Sequence, residues 1–213
     1  LNTYRALIKW HKFFPGNYYF FRFVWFKFLG LVLRYDVLYL FKKDIIRQDE
    51  SHEEMKEISF EEATQEDYGT IMKLNSNRPD NFIQERLANR EICYVARSRK
   101  HRLCAYLWAA PGERAFGYRS KKIFIDDHDV YIRDGMTLPA QKGRGIFPKF
   151  LKWINNELSK KGKKIMWAAI TGLNYSSQRS FMKAGFRIDE KIHFASFPLI
   201  KRDFIFSRKR TGN

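Results

Sequence analysis

Residues 134–151 decide the fold, and they read Asp-Gly-Met-Thr-Leu-Pro-Ala-Gln-Lys-Gly-Arg-Gly-Ile-Phe-Pro-Lys-Phe-Leu. The extended pattern of Val130 to Leu138 ends at Pro139, and the small basic turn of Lys142 to Gly145 follows it. After the turn, apolar residues recur at the spacing of one helix face: Phe147, Phe150, Leu151, Ile154 and Leu158. The stretch therefore predicts a strand, a glycine-containing turn and a helix in direct succession.

The predicted turn is suited to an anion. The first backbone N–H groups of a helix have no partner inside the helix, and they lie at the positive end of its dipole. Gly143 and Gly145 present no Cβ to an approaching anion, and Lys142 and Arg144 add two formal charges. Pro148 favours a helix start, because its φ is already helical and it has no N–H to lose. A glycine turn alone is a weak signal, since the sequence has neither G-x-G-x-x-G nor G-x-x-x-x-G-K-[ST] here.

The segment Pro139-x-x-Lys142-Gly143-Arg144-Gly145-Ile146 resembles the acyl-CoA pyrophosphate loop of the GNAT superfamily of N-acyltransferases. That family's pattern is [QR]-x-x-G-x-[GA], after a proline that closes the fourth strand. Lys142 stands where Gln or Arg is usual, and Gly145 matches the first small residue. Phe147 occupies the place usually held by Gly or Ala.

A second segment resembles another motif of the same family, in the expected order. Asn174 to Ser177 and Lys183 to Phe186 are similar to its N-x-x-S…K-x-G-F pattern, and they follow a predicted strand at Lys164 to Ile170. Two motifs in the right order indicate the family more strongly than either motif alone.

The resemblance implies an α/β (α+β) fold with a central mixed, mostly antiparallel sheet flanked by helices. It also implies acetyl-CoA as co-substrate, no metal, and direct attack of a neutral amine on the thioester. In the family, the strand before the loop pairs with the pantetheine arm and one of its N–H groups polarises the thioester carbonyl; the matching positions are Met136, Thr137 and Leu138. The remaining cofactor-binding residues that the resemblance implies are Lys142, Gly143, Arg144, Gly145, Ile146, Phe147, Asn174 and Ser177.

The acid and base are open between alternatives. Asp129 falls near where some members of the family carry a strand carboxylate that deprotonates the amine, and Asp134 is its rival; either needs burial to raise its pKa into a useful range. Many members carry a Tyr where this chain has Phe181, which has no proton to give. Ser177 is then the candidate acid, with a plain helix-start hydroxyl as the alternative. Tyr175 is a further candidate.

Composition indicates the kind of partner. The chain has 213 residues, 45% of them hydrophobic and 30% charged, which describes a soluble globular protein with one full core. Its net charge of +17 predicts an anionic partner: coenzyme A, an acidic carrier protein, anionic lipid or nucleic acid.

Cys93 and Cys104 are predicted to be buried free thiols in a reducing, cytoplasmic setting. No segment has the pattern of a signal peptide.

Residues 1–50 are predicted to form an aromatic, basic N-terminal extension. The apolar run from Tyr18 to Phe41 is long enough to cross a bilayer. Four charged residues lie in it: Arg22, Lys27, Arg34 and Asp36. Each costs about 2.5–3.5 kcal/mol near a membrane centre, against roughly 0.3–0.6 gained per large apolar residue, so spanning is unfavourable. The run either lies on a membrane surface or packs on the transferase core or a second subunit.

The rest of the pattern predicts the order of elements. The acidic run 49–57 marks a boundary, after which residues 57–207 form the acyltransferase domain and 208–213 a basic tail. Within the domain we expect, in order, a strand at Ile58–Ala63, a helix capped by Thr64, a second helix to about Arg90, a hairpin of Ile92–Ala96 and Leu103–Ala110, a loop at Pro111–Lys122, a helix at Ser176–Ala184 and two strands within Lys191–Phe206. The family places acceptor contacts near Asn75 to Phe82. Asp126 to Asp129 are not expected to bind a metal, because adjacent residues on an extended chain point to alternate faces.

The reading that follows is a cytoplasmic N-acetyltransferase, either free or peripheral at the inner face of a membrane. It moves an acetyl group to a primary amine on a small molecule, sugar or protein. One alternative keeps the fold but makes the enzyme membrane-associated or dependent on an acyl-carrier protein. The other is a non-catalytic module that binds nucleic acid or membrane. The sequence leaves the acceptor and the oligomeric state open.

Overall fold

The computed structural model describes residues 34–46, 57–112, 115–118, 121–197 and 202–209. These residues form ten strands and four helices. The strands are β1 (Arg34–Asp44), β2 (Ile58–Glu62), β3 (Ile92–Ser98), β4 (Leu103–Pro111), β5 (Ala115–Tyr118), β6 (Lys121–Phe124), β7 (Asp129–Thr137), β8 (Ile165–Thr171), β9 (Arg187–Phe197) and β10 (Arg202–Lys209). The helices are α1 (Gln65–Leu74), α2 (Phe82–Ala88), α3 (Ile146–Lys160) and α4 (Tyr175–Lys183), with a short 3-10 helix at Pro139–Gln141.

Eight of the strands form one sheet in the order β10-β9-β1-β8-β7-β4-β3-β2. The pairs β1–β8, β2–β3, β3–β4 and β4–β7 are antiparallel, whereas β7 and β8 run parallel. The predicted α/β class with a mixed, mostly antiparallel sheet is thereby confirmed. By contacts, the described residues divide into two compact units, a larger one within 37–192 and 207–209 and a smaller one of 34–36, 193–197 and 202–206.

The larger unit has a core on each face of its sheet. Alternate residues of β4 point to opposite faces, so Leu107 joins the cluster beneath α3 and α4, whereas Trp108 joins the cluster beneath α1 and α2. The buried stripe of α3 is Ile146, Phe150, Leu151, Ile154 and Leu158, each at most 2% exposed. The predicted helix is thus present, with Ile146 buried and Phe147 half-buried.

Local signals account for the helix starts. Asp67 in the first turn of α1 accepts a hydrogen bond from the Thr64 N–H over 2.8 Å, which satisfies one free donor at the helix start. Helix α3 begins after Gly145, whose φ of +71° lies in the left-handed region that glycine adopts without strain. Helix α4 is capped by Asn174, whose side-chain oxygen accepts from the Ser177 N–H.

Strand β1 lies inside the range that the sequence assigned to the N-terminal extension. It pairs with β8 from Leu38↔Thr171 to Asp44↔Ile165, and the side chain of Phe41 is fully buried in the core beneath α3 and α4. Residues 37–44 of the predicted extension are therefore part of the sheet of the larger unit. Residues 1–33 and 47–56, with most of the apolar run and the predicted boundary, lie outside the described residues.

The loop predicted at Pro111–Lys122 is a correction. Strands β5 and β6 pair there as a two-stranded ribbon, from Ala115↔Phe124 to Tyr118↔Lys121. The prediction failed because a short ribbon needs only its own hydrogen bonds and leaves little apolar pattern. The tail predicted from residue 208 is also corrected in part, since β10 continues to Lys209. The two predicted closing strands are present as β9 and β10.

In the smaller unit, a hydrogen bond joins the Tyr35 hydroxyl to His193 Nδ1, and their ring centroids are 5.8 Å apart. Phe204, Ile205 and Phe206 of β10 are exposed. Across the described residues of both units, none of the helices has the length and apolar character that crossing a membrane requires.

Candidate active site

The candidate site lies where β7 and β8 separate. These parallel strands pair only at Asp129↔Ile165, Val130↔Met166 and Tyr131↔Trp167. Residues 132–137 of β7 and 168–171 of β8 continue without pairing to each other. Diverging parallel strands leave a notch at their carboxyl ends, which is where ligands bind in open α/β sheets. Within the described ranges, the pairing of β7 with β8 ends at Tyr131 and Trp167, so the backbone of β7 beyond this point is a candidate partner for an extended ligand.

A bulge in β7 lies beside the notch. Tyr106 pairs with Met136 and Trp108 with Arg133, so Asp134 and Gly135 together stand opposite the single residue Leu107. Asp134 has a φ of +46°, which is unusual for a residue with a side chain. Bulges re-aim the backbone and side chains next to them, and they are frequent beside active sites. Met136 and Thr137, which the sequence matched to the thioester-binding strand, follow directly after this bulge.

The glycine turn has the open geometry that the sequence predicted. Gly143 and Gly145 have φ of +80° and +71°, and a Cβ built on either would meet no atom within 4 Å. The N–H groups of Gly145, Ile146 and Phe147 have no partner among the described residues, and Pro148 has no N–H. Three unpaired amides thus lie together at the start of α3. Among the described residues, no side chain comes within 4 Å of a Cβ built at Gly143 or Gly145 in this corner.

Two basic side chains flank the turn. Lys142 is exposed, and Arg144 donates to Gln141 Oε1 over 2.6 Å and to Glu57 Oε2 over 3.2 Å. The Arg144–Glu57 pair is exposed on both sides, and such pairs contribute little to stability. A bound anion could therefore replace Glu57 at little cost.

The ring of Phe147 points away from the turn and into the protein. It packs against Phe150 and Phe181, with ring centroids 6.4 and 6.0 Å away. The large residue at this position of the loop pattern therefore leaves the amides of the turn uncovered. Phe181, which stands where many GNAT members have a tyrosine, is buried in the same aromatic cluster.

The start of α4 borders the notch from the β8 side. Asn174 Oδ1 accepts from the Ser177 N–H over 3.2 Å, so Asn174 rather than Ser177 is the capping residue. This leaves the Ser177 hydroxyl without a hydrogen-bond partner among the described residues. The Tyr175 side chain is 64% exposed. Tyr175 and Ser177 lie in the first turn of α4, which begins four residues after the last residue of β8.

Asp129 lies at the opposite end of β7. It is the first residue of the strand, it is 4% exposed, and it accepts from Trp167 Nε1 over 2.8 Å. Seven positions separate it from Met136, or about 20 Å at roughly 3.3 Å per residue. The structure therefore does not bring Asp129 together with the other candidate residues. Asp126, Asp127 and His128 are exposed, and no three potential metal ligands converge within the described ranges.

Asp134 lies beside the notch but is held by arginines. Its carboxylate pairs with Arg86, with Arg78 over 3.0 Å and with Arg133 over 3.4 Å. Arg86 is buried and also donates to Glu91 over 2.6 Å. We call these five residues the arginine cluster. Both carboxylate oxygens of Asp134 thus accept a hydrogen bond, from Arg78 and from Arg86, and Arg133 lies close by.

The sequence reading missed the arginine cluster, although one signal was present. Arg86 occupies the apolar face of the predicted second helix, at i+4 from Phe82 and i+3 from Ile83, which are both buried. Its guanidinium lies 4.4 Å from the Phe82 ring centroid and 5.2 Å from that of Trp108. A charged residue on an apolar helix face predicts a buried ion pair. The partners of Arg86 are Asp134 of β7 and Glu91, which directly precedes β3, and the helix pattern alone does not identify them.

Other groups near the cluster are poor bases at neutral pH. Burial raises the pKa of Tyr106, whose hydroxyl oxygen accepts from Asn75 Nδ2 over 2.7 Å. Burial also raises the pKa of Tyr131 to about 12. Asn75, at one end of the predicted acceptor wall, is buried and also donates to the Ile71 carbonyl.

Comparisons with known proteins bear on the fold. No protein-family model and no curated protein matches the sequence. Among solved structures, the chain is similar to a GCN5-related N-acetyltransferase from Sphaerobacter thermophilus, with a TM-score of 0.58 and 9% identity over 86% of this chain and 55% of that one. It is also similar to a GNAT-family acetyltransferase from Colwellia psychrerythraea, with a TM-score of 0.50 and 15% identity over 83% and 57%.

A third similar structure is a functionally unknown conserved protein from Staphylococcus epidermidis, with a TM-score of 0.50 and 10% identity over 79% of this chain and 64% of that one. The chain thus spans less than two thirds of the length of each of these three structures. Identities this low establish the architecture alone.

Proposed function

We propose that this chain, which has the GNAT fold, transfers an acyl group from an acyl-CoA thioester to an amine, with acetyl-CoA as donor. The observation that carries the proposal is the notch between β7 and β8, which ends at the three unpaired amides of Gly145, Ile146 and Phe147. An extended chain that ends in a diphosphate fits both parts. The notch offers a free strand edge to the chain, and the helix start offers donors and a positive dipole to the diphosphate.

In this proposal the coenzyme is held by residues of three elements. The amides at the start of α3 bind the diphosphate, and Arg144 turns from Glu57 to join them together with Lys142. The backbone of residues 132–137 pairs with the pantetheine arm. Asn174 and Ser177 of α4 lie on the other side of the notch.

The chain supplies positioning, polarisation and one proton. A backbone N–H after the bulge, at Met136 or Thr137, donates to the thioester carbonyl and stabilises the developing oxyanion. The N–H of Leu138 already donates to the Cys104 carbonyl over 2.9 Å. The Ser177 hydroxyl, which has no hydrogen-bond partner in the described part of the chain, donates to the leaving sulfur. We assign no base to the chain, because Asp129 lies about 20 Å away along the strand and Asp134 is held by three arginines. The amine therefore loses its proton to water.

The acceptor enters from the face that carries α1 and α2. Arg78 is the exposed member of the arginine cluster there, with 43% of its side chain accessible. The cluster has three guanidinium groups and two carboxylates, which favours an acceptor that carries an acidic group near its amine. An Arg78→Ala variant should then raise KM for an acidic amine and leave KM for a neutral amine unchanged.

The test measures binding and turnover with the full chain. We expect coenzyme A to raise the melting temperature, and acetyl-CoA to release free thiol when an amine is supplied. The double variant Lys142→Ala/Arg144→Ala should weaken coenzyme A binding at least tenfold and leave binding of pantetheine, which lacks the diphosphate, unchanged. Lys160→Ala, at the far end of the same helix, is the matched control. The proposal would be overturned if the chain did not bind coenzyme A and if no amine caused release of free thiol from acetyl-CoA.

A second donor is favoured by the net charge of +17, which suits an acidic acyl-carrier protein. Assaying acyl transfer from the carrier protein and from coenzyme A side by side distinguishes the two. Transfer from the carrier protein alone would move the proposal to that donor. Salt-sensitive binding of nucleic acid or anionic vesicles without any transfer would support the non-catalytic alternative instead.

A further inference from the structure

A cleft of about 410 Å³ lies away from the notch. The side chains that line it include Lys43, Asp44, Lys152, Asn155, Lys183 and Arg187. Lys43 and Asp44 pair with Met166 and Ile165, the first residues of β8, whereas the notch opens at the last residues of that strand. The cleft is therefore separate from the proposed acyl-transfer site. Its volume lies in the range of small-molecule sites, roughly 300–1,000 Å³.

The cleft is strongly basic. Of the described residues that line it, only Asp44 is acidic, and Asp44 pairs with Arg187 over 2.9 Å. Lys152 and Lys183 are exposed and have no ion-pair partner in the described part of the chain. Lys43 is only 8% exposed, and its ammonium donates to the Ala184 carbonyl over 2.8 Å. Among the described residues, the three lysines of this concave site have no carboxylate of their own, and a cleft lined by one sign of charge attracts an anion.

Lys43 shows the effect of that crowding. Burial, and then the neighbouring Lys152, lower the pKa of the Lys43 ammonium to about 8. A buried lysine with a carboxylate partner would be shifted the other way. Among the described residues, its one hydrogen-bond acceptor is the carbonyl of Ala184, which directly follows α4. Two ammonium protons of Lys43 remain for a further acceptor.

We propose that this cleft binds a small phosphorylated molecule, whose phosphate lies among Lys43, Lys152 and Lys183. Phosphate suits the site better than a carboxylate, because it carries up to two charges and three acceptor oxygens for several ammonium donors. The same chemistry occurs in a soluble polyol phosphate and in the headgroup of a glycerophospholipid. The proposal does not depend on the acyl-transfer activity.

Calorimetry with the full chain at low salt tests the proposal. The probes are glycerol 3-phosphate, inorganic phosphate, sulfate and glycerol. We expect saturable one-to-one binding of glycerol 3-phosphate and of inorganic phosphate, weaker binding of sulfate, and none of glycerol. The double variant Lys152→Ala/Lys183→Ala should weaken glycerol 3-phosphate binding at least tenfold. Lys73→Ala, an exposed lysine of α1 on the other face of the sheet, should leave it unchanged.

A second measurement distinguishes the source of the phosphate. Vesicles of phosphatidylcholine are compared with vesicles that also contain phosphatidylglycerol. Binding to the second kind alone, lost in the Lys152→Ala/Lys183→Ala variant but retained in Lys73→Ala, would assign the cleft to a lipid headgroup. Binding of glycerol 3-phosphate without such a vesicle effect would assign it to a soluble ligand.

Two results would overturn the proposal. One is glycerol 3-phosphate binding no tighter than glycerol. The other is equal affinity in the Lys152→Ala/Lys183→Ala and Lys73→Ala variants, which would show that only the overall charge matters. Amide chemical shifts of Ala184 and Gly185 report directly on the cleft and confirm that each variant is folded. Coenzyme A binding, measured in the same double variant, shows independently whether the acyl-transfer proposal stands.

Discussion

The ring of Phe147 occupies the space that a side chain on Gly135 would need. A Cβ built on Gly135 would lie 2.6 Å from Phe147 Cζ and 3.3 Å from Leu107 Cβ. Gly135 is a bulge residue of β7, and Phe147 is the second residue of α3. This contact fixes the start of the helix, with its unpaired amides, against the irregular part of the strand. The two halves of the proposed coenzyme site are thereby held in register.

Replacing Gly135 with Ala should lower the free energy of unfolding by about 1–3 kcal/mol, because an added methyl overpacks the contact. The companion variant Gly135→Ala/Phe147→Leu should recover part of that loss, since the shorter side chain leaves room. Urea unfolding measures both. If Gly135→Ala unfolds at the midpoint of the parent protein, the contact does not constrain the helix start.

Arg86→Ala should be far more damaging than Arg78→Ala. Removing the buried Arg86 guanidinium leaves Glu91 and Asp134 with one partner fewer in a poorly hydrated site, which costs about 3–5 kcal/mol. Arg78 is largely exposed, so its loss should cost under about 1 kcal/mol. Equal costs in urea unfolding would contradict the assignment of Arg86 as the centre of the cluster.

Asp129→Asn should leave thiol release from acetyl-CoA within about threefold of the parent rate, because the residue is remote from the notch and bonds to Trp167. An amide at this position still offers an oxygen to the indole N–H. A drop in kcat of a hundredfold or more, with unchanged stability, would return Asp129 to the role of general base.

Ser177→Ala should lower kcat by about a hundredfold, the lower range for losing a general acid, with little change in the affinity for coenzyme A. The matched control is Ser176→Ala, which removes the neighbouring hydroxyl in the same helix turn; its kcat should be close to that of the parent protein. Restoration of the rate by Ser177→Thr would support a hydroxyl role. Similar kinetics in the two alanine variants would exclude Ser177 as the proton donor.

Stability around Lys43 should depend on pH with a defined sign. Its pKa is about 8 in the folded protein and near its ordinary value of 10.5 in the unfolded chain. Between these values the unfolded chain holds a proton that the folded protein has released, so the free energy of unfolding rises with pH across that window. The charged and titratable groups that line the cleft around Lys43 are Lys152, Lys183, Arg187 and Asp44.

The comparison that isolates this effect is parent against Lys43→Met in urea at pH 7, 8, 9 and 10. The parent should gain stability relative to the variant as pH rises from 8 to 10. If the difference in free energy of unfolding between the parent and the variant stayed constant with pH, the pKa of Lys43 would not be lowered in the folded protein.

The sequence predicted the parts of the site that depend on local geometry. Gly143, Gly145 and Pro148 identified a helix start with free amides, because each residue restricts or frees the backbone at its own position. The sequence did not decide whether Asn174 or Ser177 caps α4, because both residue types are common helix caps. The contacts of Asp134 with Arg86 and Arg78 join residues 48 and 56 positions apart. Such pairs depend on how the strands and helices assemble, which no local pattern contains.

Strand β1 was missed for a related reason. Its aromatic run alternates poorly, since Leu40 and Phe41 are both buried although they are adjacent. The strand is recognised only by its partner β8, which lies far along the chain.

That separation has a consequence for biosynthesis. Leu38 leaves the ribosome about 130 residues before Thr171, the residue it must pair with, and such distant pairings form slowly. Until β8 is complete, β1 presents an unpaired and partly apolar edge, which is prone to self-association and suited to chaperone capture. Conversely, a chain shortened to begin at residue 57 would leave a gap between β8 and β9, and a synthetic peptide of residues 34–46 supplied separately could fill it.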